Sequence, residues 1–234
     1  MRTIGIIGGM SWESSLEYYR LINRGVRDRL GGMHSARILL LSVDFAGVAA
    51  RQQAGDWPAL TAQMIEAAQA LERGGAEGVL IATNTMHLMA DAVADAIGVP
   101  LLHIGDAAAR AVRAAGHARI GLIGTAFTME QPFYAERLAG HGLEVIVPDA
   151  ADRRTAHAII YDELVQGRIE PASRDAYRGI IARLVARGAE AIVLGCTEIM
   201  LLVGDGDSVV PLFDTTTLHA QAAVTWALKA TGST

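Results

Sequence analysis

RGAEAIVLGCTE, residues 187–198, repeats GGAEGVLIATNT, residues 74–85, without a gap. Each copy holds an Ala-Glu pair, a short apolar run and a polar cluster. Apolar runs of this length, continuous rather than alternating, read as strands of a sheet covered on both faces. In this alignment Thr83 falls on Cys196, and Ala76-Glu77 on Ala189-Glu190. The match extends outward. ARIGLIGT at 118–125 repeats TIGIIGG at 3–9, and VVPLFDTTTLHAQAAV at 209–224 echoes VPLLHIGDAAARAV at 99–112. The 113-residue offset between positions 74 and 187 is too long for a solenoid repeat and reads as a duplicated domain.

Within the first copy, strands are expected at 3–7, 37–43, 78–82 and 100–104, and helices at 11–30, 57–73, 87–97 and 106–115. Strands alternating with helices make βαβ units and parallel sheets. The fold class is α/β, with two pseudo-symmetric domains, each a parallel sheet flanked by helices. The expected division is 1–115 and 116–209, near Gly116-His117, with 210–234 packing back on the first domain. Equivalent strand ends would then oppose each other across a cleft holding the active site. Open parallel sheets bind ligands beyond the carboxyl ends of their strands.

Composition narrows the chemistry. Apolar residues make up 51% of the 234, enough for a large core, while aromatics are only 5%, so aliphatic residues and alanine must fill it. Tyr18, Tyr19, Tyr134 and Trp57 read as residues packing helices onto the sheets. The net charge is −5 with no basic block, which argues against nucleic acid. No apolar run reaches the ~18 residues of a membrane span, and MRTIGIIGG enters a strand with no signal-peptide pattern. A single cysteine cannot form an internal disulfide and suits the reducing cytoplasm. Of the 20 basic residues only Lys229 is a lysine, and it lies in a terminal helical pattern. An imine with pyridoxal phosphate needs a lysine at the site, so no such cofactor is expected. The seven histidines show no metal-ligand spacing, and no metal is expected.

The polar clusters after the repeated strands are the candidate chemistry: Thr83-Asn84-Thr85 and Cys196-Thr197-Glu198. Amides at a helix start favour anions, and Asn84, Thr85 and Thr197 add side-chain donors for a carboxylate. Either cluster alone could be a helix cap, but the duplication argues for more. A helix start also lowers a thiol pKa, which suits Cys196 as a base. No histidine is paired with it in sequence, which disfavours a protease triad. His87 and Glu198 follow the clusters and could orient a hydroxyl or thiol, or simply bond locally. The turn Gly8-Gly9-Met10 lacks dinucleotide-binding spacing and reads as a turn able to approach a small carboxylate, with Met10 walling the pocket.

IGIIGGMSWESSLEYY at 4–19, ATNTMH at 82–87, GTAFTME at 124–130 and LGCTEI at 194–199 together resemble the aspartate/glutamate racemase family, over essentially the whole chain. The resemblance implies cofactor-independent amino-acid racemisation between two α/β domains, with two opposed acid/base cysteines. Here Thr83 stands at the first cysteine's position and only Cys196 remains. A threonine hydroxyl can relay a proton but is a very poor base near neutral pH. By the family's pattern the second-half cysteine serves the L-enantiomer, so L to D is expected to run and D to L to be slow, within the overall equilibrium constant. The resemblance also points to Gln52, with Arg51 in reserve, as contact for the substrate's side chain. Aspartate-type relatives carry a lysine where Tyr161–Gly167 has none, which opens the range beyond aspartate. The expected partner is a small amino-acid substrate, and the resemblance and apolar content allow a homodimer, with no surface named by the sequence. Two other readings are a decarboxylase of the same superfamily, protonating a carbanion with one cysteine, and a catalytically silent amino-acid binding module. Cys196→Ser separates them: a binder keeps its affinity, while a racemase loses turnover.

Overall fold

A computed structural model describes residues 1–229; the last five residues of the expected C-terminal segment, 230–234, lie outside the described residues. The chain forms two compact units, Met1–His103 with the chain from His219 onward, and Ile104–Leu218.

The first unit holds β1 (Ile4–Gly8), α1 (Trp12–Leu30), β2 (Ile38–Ser42), α2 (Phe45–Ala54), α3 (Trp57–Arg73), β3 (Gly78–Ile81), a 3-10 turn at Thr85–Met89, α4 (Ala90–Asp95) and β4 (Leu101–Leu102). Its sheet is parallel, in the order β2-β1-β3-β4. The second unit holds α5 (Ile104–Ala114), β5 (Arg119–Gly124), α6 (Ala126–Glu130), α7 (Pro132–Ala139), β6 (Glu144–Ile146), α8 (Ala150–Asp162), α9 (Pro171–Ala186), β7 (Ala191–Gly195), α10 (Ile199–Leu202) and β8 (Leu212–Asp214). Its sheet, also parallel, runs β6-β5-β7-β8. The two sheets share their register as well as their order. Ile4 pairs with Gly78 where Ile120 pairs with Ala191, and Val79 pairs with Leu101 where Ile192 pairs with Leu212. The duplication seen in sequence is therefore a duplication of strand pairing.

Strand side chains alternate between faces, and helices cover both. In the first unit Ile4, Ile6 and Leu80 pack under Tyr18, Ile22 and Val26 of α1 and Ala220, Ala223 and Val224 of the last helix, α11 (Thr215–Leu228). Ile7, Val79 and Ile81 pack on the other face against Leu60, Met64, Ala68 and Leu71 of α3. In the second unit Ile120, Leu122 and Val193 meet α5 and α7, and Ile123, Ile192 and Leu194 meet α8 and α9.

The structure departs from the expected boundaries in places with physical causes. The break falls before α5, not after it, because Ile104, Ala108, Ala109 and Val112 bury against β5 and β7. Residues 212–214 stay in the second sheet as β8, and α11 joins the first unit only from His219. The stretch 45–54 carries no strong apolar periodicity, yet forms α2, capped by Asp44 and closed by left-handed Gly55. The helix expected at 87–97 is a 3-10 turn followed by a short helix. Tyr19, expected to pack, is 52% exposed.

Two features fix the strand exits. After β1, Gly9 adopts φ +90, and a Cβ there would lie 2.3 Å from Val43 O. Its amide donates to Ser15 Oγ at 2.7 Å. The glycine is thus required by close backbone packing against the chain leaving β2, and its amide is used by Ser15 rather than offered to a carboxylate. Beyond α10, Asp207 is buried and accepts both Arg174 and Arg178, and the amide of Gly204. Arg174, with the Gly204 amide and Arg178, holds this carboxyl well below the usual carboxylate range, against the opposing effect of burial.

Gly9→Ala is expected to destabilise the protein by about 2–3 kcal/mol, through strain and the Val43 clash. Gly55→Ala, also at positive φ but in open space, should cost only about 1 kcal/mol. Urea midpoints check both. Asp207 binds its proton less readily folded than unfolded, so it stabilises the fold above about pH 4 and the contribution drains away as pH falls below that value. Asp207→Asn should therefore lower stability at neutral pH and flatten its acid-side decline, read by thermal melts across pH.

Candidate active site

Cys196 follows β7 directly and is 7% exposed. Its thiol donates to Glu198 Oε2 at 3.0 Å, and the Thr197 hydroxyl donates to the same oxygen at 2.9 Å. Glu198 and Thr197 are each 1% exposed. Two hydroxyls at the start of α11 tie this strand exit down: Thr215 donates to Leu194 O at 2.8 Å and Thr216 to Thr197 O at 3.2 Å. Sequence reasoning passed over these two threonines. The signal was there, in the Thr-Thr-Thr run directly after a strand pattern.

Burial pushes the Cys196 thiol well above its usual range, and the neighbouring Glu198 carboxylate pushes it further. The Thr197 and Glu198 amides pull the other way but do not win. This corrects the expectation of a thiol acidified by a helix start. The helix α10 has only four residues, so little dipole accumulates, while a carboxylate stands in direct contact. Burial likewise raises the phenols of Tyr161 on α8 and Tyr177 on α9, with the charges of Cys196 and Glu198 adding to it. Both rings therefore stay neutral. Neither was expected at the site, because α8 and α9 are far from residue 196 in sequence.

In the first unit Thr83 occupies the equivalent strand exit and is partly buried. Asn84 and Thr85 beside it are 1% and 4% exposed. His87 is buried, and its Nδ1 lies 2.8 Å from Thr83 O. A carbonyl only accepts, so Nδ1 carries the proton, and the ring braces the Thr83 backbone. Gln52 was expected on a loop. It lies on α2, buried, with Nε2 3.3 Å from Met86 Sδ. Arg51, next to it, is exposed and donates to Gln63 Oε1 at 2.8 Å on the outer surface. The two neighbours are thus separated by helix geometry, and Gln52 is the inward one. Met10 is buried in the same apolar cluster as Val48 and Met86.

Met10, Gln52 and Thr83-Asn84-Thr85 follow β1, β2 and β3, so they gather at the carboxyl edge of the first sheet. Cys196 and Thr197 occupy the corresponding edge of the second. A family model described as Asp/Glu/Hydantoin racemase matches residues 7–223. The chain belongs to that family.

This racemase-family chain is similar to solved structures over nearly its whole length. A candidate Asp/Glu racemase from Yersinia pestis is 51% identical with a TM-score of 0.91, covering 98% of this chain and 100% of that one. An aspartate racemase homologue from Pyrococcus horikoshii OT3 is 34% identical with a TM-score of 0.83, covering 97% and 99%. In sequence, the broad specificity amino-acid racemase RacX of Bacillus subtilis (strain 168) is 23% identical over 164 residues, 69% of each chain. Among the described residues no three His, Cys, Asp or Glu side chains are grouped to hold a metal ion, and no helix is long and apolar enough to cross a membrane. Lys229 is exposed just past α11.

Alkylation of the single cysteine reports the thiol's environment. Iodoacetamide modification, followed by mass spectrometry, should be slow at pH 7 and still rising, by about tenfold per unit, above pH 9. Glu198→Gln removes the adjacent negative charge and should shift that rise to lower pH.

Proposed function

We propose that this chain is an amino-acid racemase that works without pyridoxal phosphate, on aspartate, glutamate or a similar amino acid, with Cys196 and Thr83 as its proton-transfer groups. One observation carries the reading. Cys196 and Thr83 stand at equivalent strand exits of two sheets that share order and register, in a chain of the racemase family.

The reaction needs a base on one face of the substrate's Cα and a proton source on the other. Cys196 serves as the base. Its thiol proton first moves along the existing hydrogen bond to Glu198, so the pair keeps a single negative charge while the thiolate forms. A thiolate generated in a dry site beside a carboxylic acid is more basic than one in water. It takes the α-proton, and the electron pair passes into the substrate carboxylate. The Thr83 side then delivers a proton to the opposite face, and solvent restores it. Asn84, Thr85 and Thr197 are the donors for the α-carboxylate. Gln52 and Met10 meet the substrate's side chain. A glutamine amide there, rather than a cation, suits a substrate range wider than aspartate.

The hydroxyl of Thr83 limits the return path, because removing a proton with threonine requires an alkoxide. Enantiomers have equal free energy, so kcat/KM must be the same in both directions. The asymmetry therefore falls at saturation, with kcat and KM both lower for the D-enantiomer.

The test is a chiral assay of L- and D-amino acids with no added cofactor, run in heavy water. L-substrate should gain α-deuterium faster than it inverts, as Cys196 removes and returns a hydron on one face. D-substrate should not exchange ahead of inversion; rapid exchange of D-substrate refutes Thr83 as a non-base. Cys196→Ser should lose about 10³-fold or more in kcat while still binding substrate. Thr83→Cys should raise the D-to-L kcat. A chain that binds amino acids but never exchanges the α-hydrogen is a binding module, and release of carbon dioxide would make it a decarboxylase.

A further inference from the structure

Helix α1 is amphipathic in the wrong sense for a lone surface helix. Its buried face, Ser14, Ser15, Tyr18, Ile22 and Val26, is accounted for by the first unit's core. The opposite face is also apolar. Trp12 is 65% exposed, Leu16 55%, Tyr19 52% and Leu30 46%, with Met33 fully exposed just beyond the helix. At 100° per residue the four helical side chains fall within about 60° of arc. Together with Met33 they expose roughly 600 Å² of apolar side chain, the upper end of what a monomer shows and close to the ~800 Å² each partner gives to a standard interface.

One flank of this stripe is charged, and the charges divide by sign. Glu13 and Glu17 lie in the first half of the helix, and Arg20, Arg24 and Arg27 in the second. Glu17 already pairs with Arg20 along the helix. We propose that α1 is the self-association surface of this chain, where two copies pair α1 against α1, antiparallel, about a two-fold axis near its middle. A two-fold brings the same flank of each copy together end for end. Glu13 and Glu17 of one copy then meet the arginine half of the other, which a parallel pairing cannot do. The same operation sets Trp12 of one copy over Leu30 and Met33 of the other. Beside these residues runs an open groove of about 790 Å³ between α1 and residues 32–35. Its far wall is already held in place, since Ala36 N donates to Asn23 Oδ1 at 3.0 Å and Asn23 Nδ2 to Tyr19 O at 2.8 Å. A tryptophan entering a preformed groove is the commonest kind of interface anchor.

Sedimentation or light scattering on the full chain at micromolar concentration should give twice the 24.7 kDa chain mass. Leu16→Glu and Tyr19→Glu should each give the single-chain mass with an unchanged circular dichroism spectrum, since both side chains are exposed. Glu17→Arg and Arg24→Glu should each raise the dimer Kd by about tenfold or more. Mixed in equal amounts, these two charge variants should restore the dimer, because every cross-pair is then of opposite sign. A wild-type monomer at these concentrations, a dimer that survives Leu16→Glu and Tyr19→Glu, or charge variants whose mixture stays monomeric, would each overturn the proposal.

Discussion

A thiol and a carboxylate share a hydrogen bond where β7 ends, with almost no water around either. Such a pair is costly to bury and is stable only if the surroundings leave it one negative charge and enough donors. The surroundings do both. The Thr197 hydroxyl satisfies the same Glu198 oxygen, and Tyr161 and Tyr177 stay protonated nearby. Thr215 and Thr216 pin the backbone on either side of the pair. Beyond it, Asp207 and two arginines fix the following loop. Much of the polar hydrogen bonding in this part of the second unit serves to hold one proton between sulfur and oxygen.

The first unit builds the equivalent strand exit with different means. No thiol is present, and a histidine takes the structural part. His87 braces Thr83 through its carbonyl, while His219 bridges Tyr18 and Leu102 O at 2.9 and 2.7 Å. Leu102 O can only accept, so His219 Nε2 carries a proton and Nδ1 takes the Tyr18 hydroxyl. Identical strand pairing thus supports an ionisable centre in one copy and a neutral, hydroxyl-bearing one in the other. Sheet register is set by core side chains and is hard to change, whereas the two or three residues past a strand can be exchanged without disturbing it. That is why a duplicated scaffold can diverge in chemistry while keeping its hydrogen-bond ladder.

Glycine is used at these exits for contact rather than for ligand access. Gly9 lets the chain lie against Val43, and Gly124 lies beside Gly195 across the β5–β7 ladder, where a Cβ would meet backbone at 2.6 Å. Tight backbone packing here keeps the strand ends level with one another. The outer face of α1 obeys a different constraint. Its apolar residues contribute nothing to the unit's own core, and the helix would be as stable without them.

The sequence by itself determined the class of fold, the duplication and the two strand exits. These rest on local information: continuous apolar runs, their spacing and a gapless repeat from 74–85 to 187–198. It also singled out Cys196, Thr83, Asn84, Thr85, Thr197, Met10 and Gln52, and the structure sets each at the carboxyl edge of its own sheet. Helix α2 was illegible because it is short and weakly amphipathic, and so the burial of Gln52 was illegible too. The domain break was misplaced by one helix, since nothing in α5's own pattern says which sheet its apolar stripe will cover. The state of the thiol was decided by tertiary structure alone. A cysteine's acidity depends on what surrounds the sulfur, and here Tyr161 and Tyr177 come from helices distant in the chain, while the buried carboxylate two residues away outweighs the backbone amides that sequence reasoning had relied on.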